Sequence, residues 1–246
     1  MTKNQPNKIL NEVLINSNFK SNKKYKLIML LGLLGDFDSF EYGINIASLM
    51  KSGNKISDLD VFAIGIGTLK GKNKFCRFTG FPENKLLVVN DNQIHKLLGA
   101  NEGLNINMGG WANMLLMLSG INSLKTLKEV LRGYTGDKDS NQIYKDSDRI
   151  NLFNFFNFSG ELFKISFGNG YLRPFELATF RLCNMIEIIN NWNDYILDTK
   201  YLPQRGATFL LDSENNTLYE YFPKDILSYS NRMGSPLGFL SDHLLQ

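Results

Sequence analysis

Two cysteines and two histidines are all that 246 residues contain. Cys76 and Cys183 stand far apart and make no disulfide framework, which points to a reducing compartment, the cytoplasm. His95 and His243 have no second histidine or cysteine at ligand spacing, so no metal site is expected, and no cofactor is implied. Charge of one sign is not in excess either. The 27 Lys+Arg against 24 Asp+Glu leave +3, which argues against a nucleic-acid partner. Lys20, Lys23, Lys24 and Lys26 do cluster, and they read as a solvated approach to a strand ahead of a weak anion patch. No apolar run approaches the ~20 residues of a membrane helix. The most apolar, Leu27 to Leu34, is far shorter, so no integral membrane segment is expected. Met1 to Asn7 is polar, and no signal peptide is expected. No Gly-x-Ser-x-Gly string supports Ser39, His95 and Asp36 as a hydrolytic triad. Gly65-Ile66-Gly67 lacks the third glycine and downstream acid of a dinucleotide site.

What is present is ordinary globular composition, 43% hydrophobic and 21% charged. Lys8 to Phe19 reads as an amphipathic helix. Leu27 to Leu34 and Val61 to Ile66 read as strands buried on both faces. A helix with Phe40, Ile44, Ala47 and Met50 on one side follows the first strand and stops near Gly53. Lys72 to Thr79, closed by Gly80, is a second crossover helix. Leu86 to Val89 is a third strand, and Gln93 to Leu98 a short helix. Alternating strand and helix predicts a parallel sheet. Thr208 to Leu211 and Thr217 to Phe222, joined by Ser213 to Asn216, predict a late hairpin, so the sheet should be mixed. Between them, Gly103 to Pro203 reads as a helical insertion without strands. Trp111 to Leu118 and Ser123 to Leu131 are helical, Arg132 to Asp148 is an exposed loop, and Asn151 to Phe158 has no clear period. A long helix opens at Pro174 and runs towards Ile196. The predicted class is α/β, one domain over 1–246. It has a three-layer thioredoxin-like core at about 26–100 and 203–230, a mixed central sheet, and a large helical insertion at 103–203 before the C-terminal hairpin.

Three strings carry a family resemblance. Leu30-Leu31-Gly32-Leu33-Leu34-Gly35-Asp36-Phe37-Asp38-Ser39 resembles the strand-to-helix junction of the AhpC/TSA peroxiredoxin-like family. The run from Val61, with Lys74-Phe75-Cys76-Arg77-Phe78-Thr79-Gly80-Phe81-Pro82, is similar to that family's second strand and next helix. Gln204-Arg205-Gly206-Ala207-Thr208-Phe209-Leu210-Leu211-Asp212 resembles its Arg-Gly-x-Phe-x-x-Asp strand. Gly103 to Pro203 is similar to the longer members of photosynthetic microbes. The resemblance implies an antioxidant enzyme whose cysteine, at a helix N-terminus, attacks peroxide or a disulfide. Many relatives carry Cys-x-x-Cys there; this chain has Asp36 and Ser39. A carboxylate forms no sulfenic acid, so the dithiol reaction is not expected at this junction.

Most candidate residues have two readings. Asp36 and Asp38 sit where a helix begins and are read as caps worth about 1 kcal/mol, or as the remains of an anion-ready pocket. The resemblance makes Arg205 the arginine facing the reactive thiolate, and here it is expected to pair with Asp36. Cys76 is read as core, or as a relocated thiol whose pKa Lys74 and Arg77 lower. Cys183 is read as core. Trp111, Trp192 and the Phe-rich stretch are packing, or a groove for a protein partner. Two functions remain open: a non-catalytic binding or assembly module that recruits a protein through its helical insertion, and a thiol-dependent oxidoreductase using Cys76.

Overall fold

In the computed structural model, residues 5–16, 19, 21–52, 57–121, 123–152 and 156–244 are described. Lys20, the expected stop at Gly53, the N-terminal stretch before Gln5 and the centre of the Asn/Phe segment lie outside them. The chain runs α1 (Gln5–Asn16), β1 (Tyr25–Leu33), α2 (Phe37–Lys51), β2 (Leu59–Ile66), α3 (Leu69–Thr79), β3 (Leu86–Val89) and α4 (Gln93–Leu97). It continues through α5 (Gly110–Leu118), α6 (Leu124–Thr135), β4 (Arg149–Leu152), β5 (Phe156–Ser159), α7 (Glu161–Phe167), α8 (Glu176–Asn190) and α9 (Trp192–Tyr195). The hairpin β6 (Ala207–Leu211) and β7 (Thr217–Tyr221) and then α10 (Gly238–Leu244) complete it.

The main sheet has the order β3-β2-β1-β6-β7. β1, β2 and β3 are parallel, and β6 and β7 are antiparallel. The sheet is therefore mixed and thioredoxin-like, as the alternation followed by a hairpin predicts. Apolar residues cover both faces of β1. Leu27, Met29, Leu31 and Leu33 enter one core with residues of α2, α3, α8 and α9. Ile28 and Leu30 enter a second core with Leu10 and Leu14 of α1. Period-two alternation within a continuous apolar run yields the three layers. Among the described residues, no helix is long and apolar enough to cross a membrane.

The insertion departs from expectation in three places. It contains strands: β4 and β5 pair antiparallel, with Ile150 opposite Phe158, and Ile150 is buried. The Asn/Phe composition hides this hairpin because, among the described residues of its two strands, Ile150 alone is buried. Arg132 to Asp148 is not simply an exposed loop. Its first residues finish α6, and Arg132 donates to the Glu129 carboxylate at 2.8 Å and to Ser140, which is buried. The long helix does not open at Pro174 or reach Ile196. Phe175 has a left-handed backbone (φ 65°) just before α8, and Asn191 (φ −122°, ψ 30°) separates α8 from α9. The Asn191 side-chain amide donates to the Glu187 carbonyl, a local bond that competes with helix continuation.

Candidate functional site

β1, the central strand, ends at Leu33 and the chain turns through Leu34-Gly35; α2 starts at Phe37, so Asp36 falls at the N-cap position. Its side chain makes no capping hydrogen bond of good geometry, although the Asp38 and Phe37 N–H groups act on its carboxylate together with Arg205, whose Nη2 is 3.6 Å away. Asp38, one residue inside the helix, takes the shorter contact: Arg205 Nη1 donates to Oδ2 at 3.0 Å. The expected Asp36–Arg205 pair is thus the second contact of this arginine, and Asp38 is its hydrogen-bonded partner. Arg205 also donates from Nε to the Pro203 carbonyl at 2.8 Å and from Nη2 to the Leu202 carbonyl at 3.0 Å. At 1% exposure it has no face left for solvent. Gly206 makes this possible: a Cβ there would lie 2.0 Å from the Leu30 carbonyl oxygen, so glycine lets β6 lie against β1 next to the arginine.

Two buried carboxyl groups face one guanidinium. Burial pushes Asp36 up, with Arg205 opposing. Burial and then the Asp36 charge push Asp38 up to about 8, again against Arg205. One cation cannot offset two desolvated anions, which favours a proton held between them near neutrality. Asp38 Oδ1 and the Ser39 hydroxyl are buried without a hydrogen-bond partner. Both residues line a cavity of about 20 Å³ with Gly32, Tyr42 and Thr208, space for about one water.

A second charged group, missed in the sequence, backs this one. Glu41 of α2 is buried and accepts from Arg181 Nε of α8 at 2.8 Å. Arg181 also reaches the Glu129 carboxylate of α6 at 3.3 Å, which Arg132 shares. Tyr229 donates to Glu41 at 3.2 Å and stacks on Tyr42. The Glu129–Arg132 spacing of three was visible in the sequence, whereas Glu41 and Arg181 lie 140 residues apart and leave no local signal.

The remaining candidates are separate from this cluster. Cys76 is buried on α3, and burial, with Glu83, pushes its thiol up to about 11. Lys72, not the expected Lys74 or Arg77, opposes this; Lys74 is bound to Asp194 at 3.2 Å and to Asn191. Cys183 is half-buried, and burial raises it too. His95 is buried, its Nε2 shares a hydrogen bond with the Leu31 carbonyl at 2.5 Å, and Nδ1 has no partner. Neither ring nitrogen engages Ser39, which excludes the hydrolytic triad in this arrangement. Trp111 and Trp192 stack on each other, centroids 4.8 Å apart. Among the described residues, no group of three or more His, Cys, Asp or Glu could hold a metal ion.

No curated protein and no solved structure matches this chain. The AhpC/TSA antioxidant enzyme family does, over residues 48–225. The matched stretch holds Cys76, Arg205 and the whole insertion, and starts beyond Asp36 and Ser39. By that match and by its mixed thioredoxin-like sheet, the chain belongs to the AhpC/TSA antioxidant enzyme family.

Proposed function

We propose that this chain is a non-catalytic member of its family, a binding or assembly module working in the cytoplasm, with the helical insertion as its contact surface. One observation carries the reading: the arginine next to the β1–α2 junction is closed off by Asp38, Asp36 and two carbonyls. A thiol peroxidase needs a thiolate that attacks the peroxide O–O bond and becomes a sulfenic acid. Here the junction offers carboxylates, which have no such oxidation state. The two cysteines elsewhere do not compensate, since burial disfavours both thiolates. The free state of both cysteines fits a reducing compartment.

Peroxide consumption and disulfide reduction, with thioredoxin or glutathione supplied, test this directly. The expected result is no turnover above the uncatalysed rate for wild type, Cys76→Ser and Cys183→Ser alike. Turnover by wild type that disappears in Cys76→Ser would restore the family's thiol chemistry at a relocated cysteine and sink the proposal.

A further inference from the structure

The cavity at the start of α2 is lined by oxygen. Its polar side chains are Asp36, Asp38, Ser39, Tyr42, Thr208 and Tyr229, and no histidine, cysteine or methionine borders it. Two of these oxygens have no partner, Asp38 Oδ1 and Ser39 Oγ. They belong to residues 7% and 2% exposed, where an unmet polar atom costs folding free energy. Arg205 Nη1 occupies the other Asp38 oxygen, Oδ2, at 3.0 Å. The Tyr42 and Thr208 hydroxyls share one hydrogen bond of 3.1 Å, which leaves each oxygen a lone pair. Charge is unbalanced in the same place. Asp36 and Asp38 share Arg205 as their ion-pair partner. Arg181, the next cation, is engaged by Glu41 and Glu129. With both aspartates ionised, this buried cluster carries one negative charge in excess.

We propose that the cavity binds one monovalent cation about the size of a water molecule, potassium or ammonium, held by Asp38 Oδ1 and Ser39 Oγ. The space of about 20 Å³ takes one such particle. A water would meet both orphan oxygens but leave the excess charge. A divalent ion would overshoot that charge beside a guanidinium, and among the described residues no group of three or more His, Cys, Asp or Glu gathers to hold one. An all-oxygen lining also suits a hard ion over copper or zinc, which take nitrogen and sulfur. The ion takes the place of the proton that the aspartates otherwise hold, so it binds best above the Asp38 value of about 8. The other groups facing the pair keep their charge state there. Arg205 is fixed by the Pro203 and Leu202 carbonyls, Glu41 is held by Arg181, and burial raises Tyr42 and Tyr229, so both stay neutral.

This site goes beyond the proposed function and does not depend on it, because ion-specific stability and thiol turnover are read in different assays. Thermal unfolding of the full chain tests it, at constant ionic strength, in potassium, ammonium or tetramethylammonium chloride. Tetramethylammonium carries the same charge and is too large for the cavity. At about pH 9, a unit above the Asp38 value, potassium or ammonium is expected to raise the wild-type midpoint by about 2–4 °C over tetramethylammonium, saturably. At about pH 6 the three salts are expected to give one midpoint. Asp38→Asn is expected to lose the difference, and Ser39→Ala to need at least roughly threefold more ion to reach it. Wild-type crystals grown in rubidium chloride locate the ion without a variant, by an anomalous peak expected between Asp38 Oδ1 and Ser39 Oγ. Equal midpoints in all three salts at about pH 9, or a difference that survives Asp38→Asn, overturns the proposal. So does water density alone at that place, or a rubidium peak without saturable stabilisation, which marks an adventitious ion only.

Discussion

Asp38 is the residue whose environment departs furthest from what its position suggests. It sits in the first turn of α2, where a carboxylate ordinarily favours its charged form, and its carboxyl is nonetheless raised to about 8 by burial and by Asp36. An unfolded aspartate releases its proton near about 3.9. Between those values the folded chain holds a proton that the unfolded chain has lost, so folding stability falls as pH rises through the window. His95 acts in the opposite sense. Burial takes it down to about 4 from an ordinary value of about 6.5, so its contribution grows as pH rises and is complete by about 6.5. Above that, Asp38 dominates. Urea unfolding of wild type is expected to lose about 1–2 kcal/mol between pH 6.5 and 8, at up to about 1.4 kcal/mol per proton and pH unit. Asp38→Asn has no proton to release there, and its stability is expected to change much less. Parallel pH slopes for the two proteins would mean that Asp38 titrates as an ordinary carboxyl.

Elements show how much the sequence discloses and where it stops. β1 and β2 are legible because burial on both faces demands unbroken apolar runs. Gly80 closes α3 in a left-handed conformation (φ 75°), as a glycine at that place should. Asp36 and Arg205 are legible as neighbours of the β1–α2 junction. Their true geometry is not, because whether Asp36 or Asp38 takes the hydrogen bond depends on how β6 enters the sheet. The start of α8 is illegible for a similar reason. Pro174 suggests the first helical turn, yet the anchor is Arg173–Glu176, an ion pair of two fully buried side chains at 2.8 Å. Glu176 also accepts from the backbone N–H groups of Ile143 and Tyr144 at 3.1 and 2.7 Å, and so fastens the preceding loop to the helix. Glu176→Gln keeps the shape and removes the charge, leaving Arg173 buried beside the more distant Asp146 at 3.5 Å. The expected cost is about 3–5 kcal/mol, with faster hydrogen exchange at the Ile143 and Tyr144 amides. A cost under about 1 kcal/mol would show that Asp146 alone suffices for Arg173.

For the molecule as a whole, the question is whether residues 103–203 are an appendage or part of one folding unit. Their side chains share a core with the sheet: Met114, Ile188, Tyr195, Ile196 and Leu202 belong to the cluster built on Leu27, Met29 and Leu31. Arg181 bridges Glu41 of the thioredoxin-like part to Glu129 of the insertion. Removing the insertion would leave Glu41 buried without its cation, a loss that usually exceeds the value of the pair itself. The family match runs across both parts without respecting a boundary. One cooperative transition is therefore expected, and the chain supplies its own probes. Both tryptophans, Trp111 and Trp192, lie in the insertion, so their fluorescence follows that segment, while far-ultraviolet circular dichroism follows the sheet as well. Denaturation curves from the two signals are expected to coincide in wild type. Arg181→Ala is expected to move both midpoints down together, by the equivalent of about 3 kcal/mol. Fluorescence that melts before the dichroism, in wild type or in the variant, would make the insertion a separate unit and the Arg181 bridge a contact between two bodies.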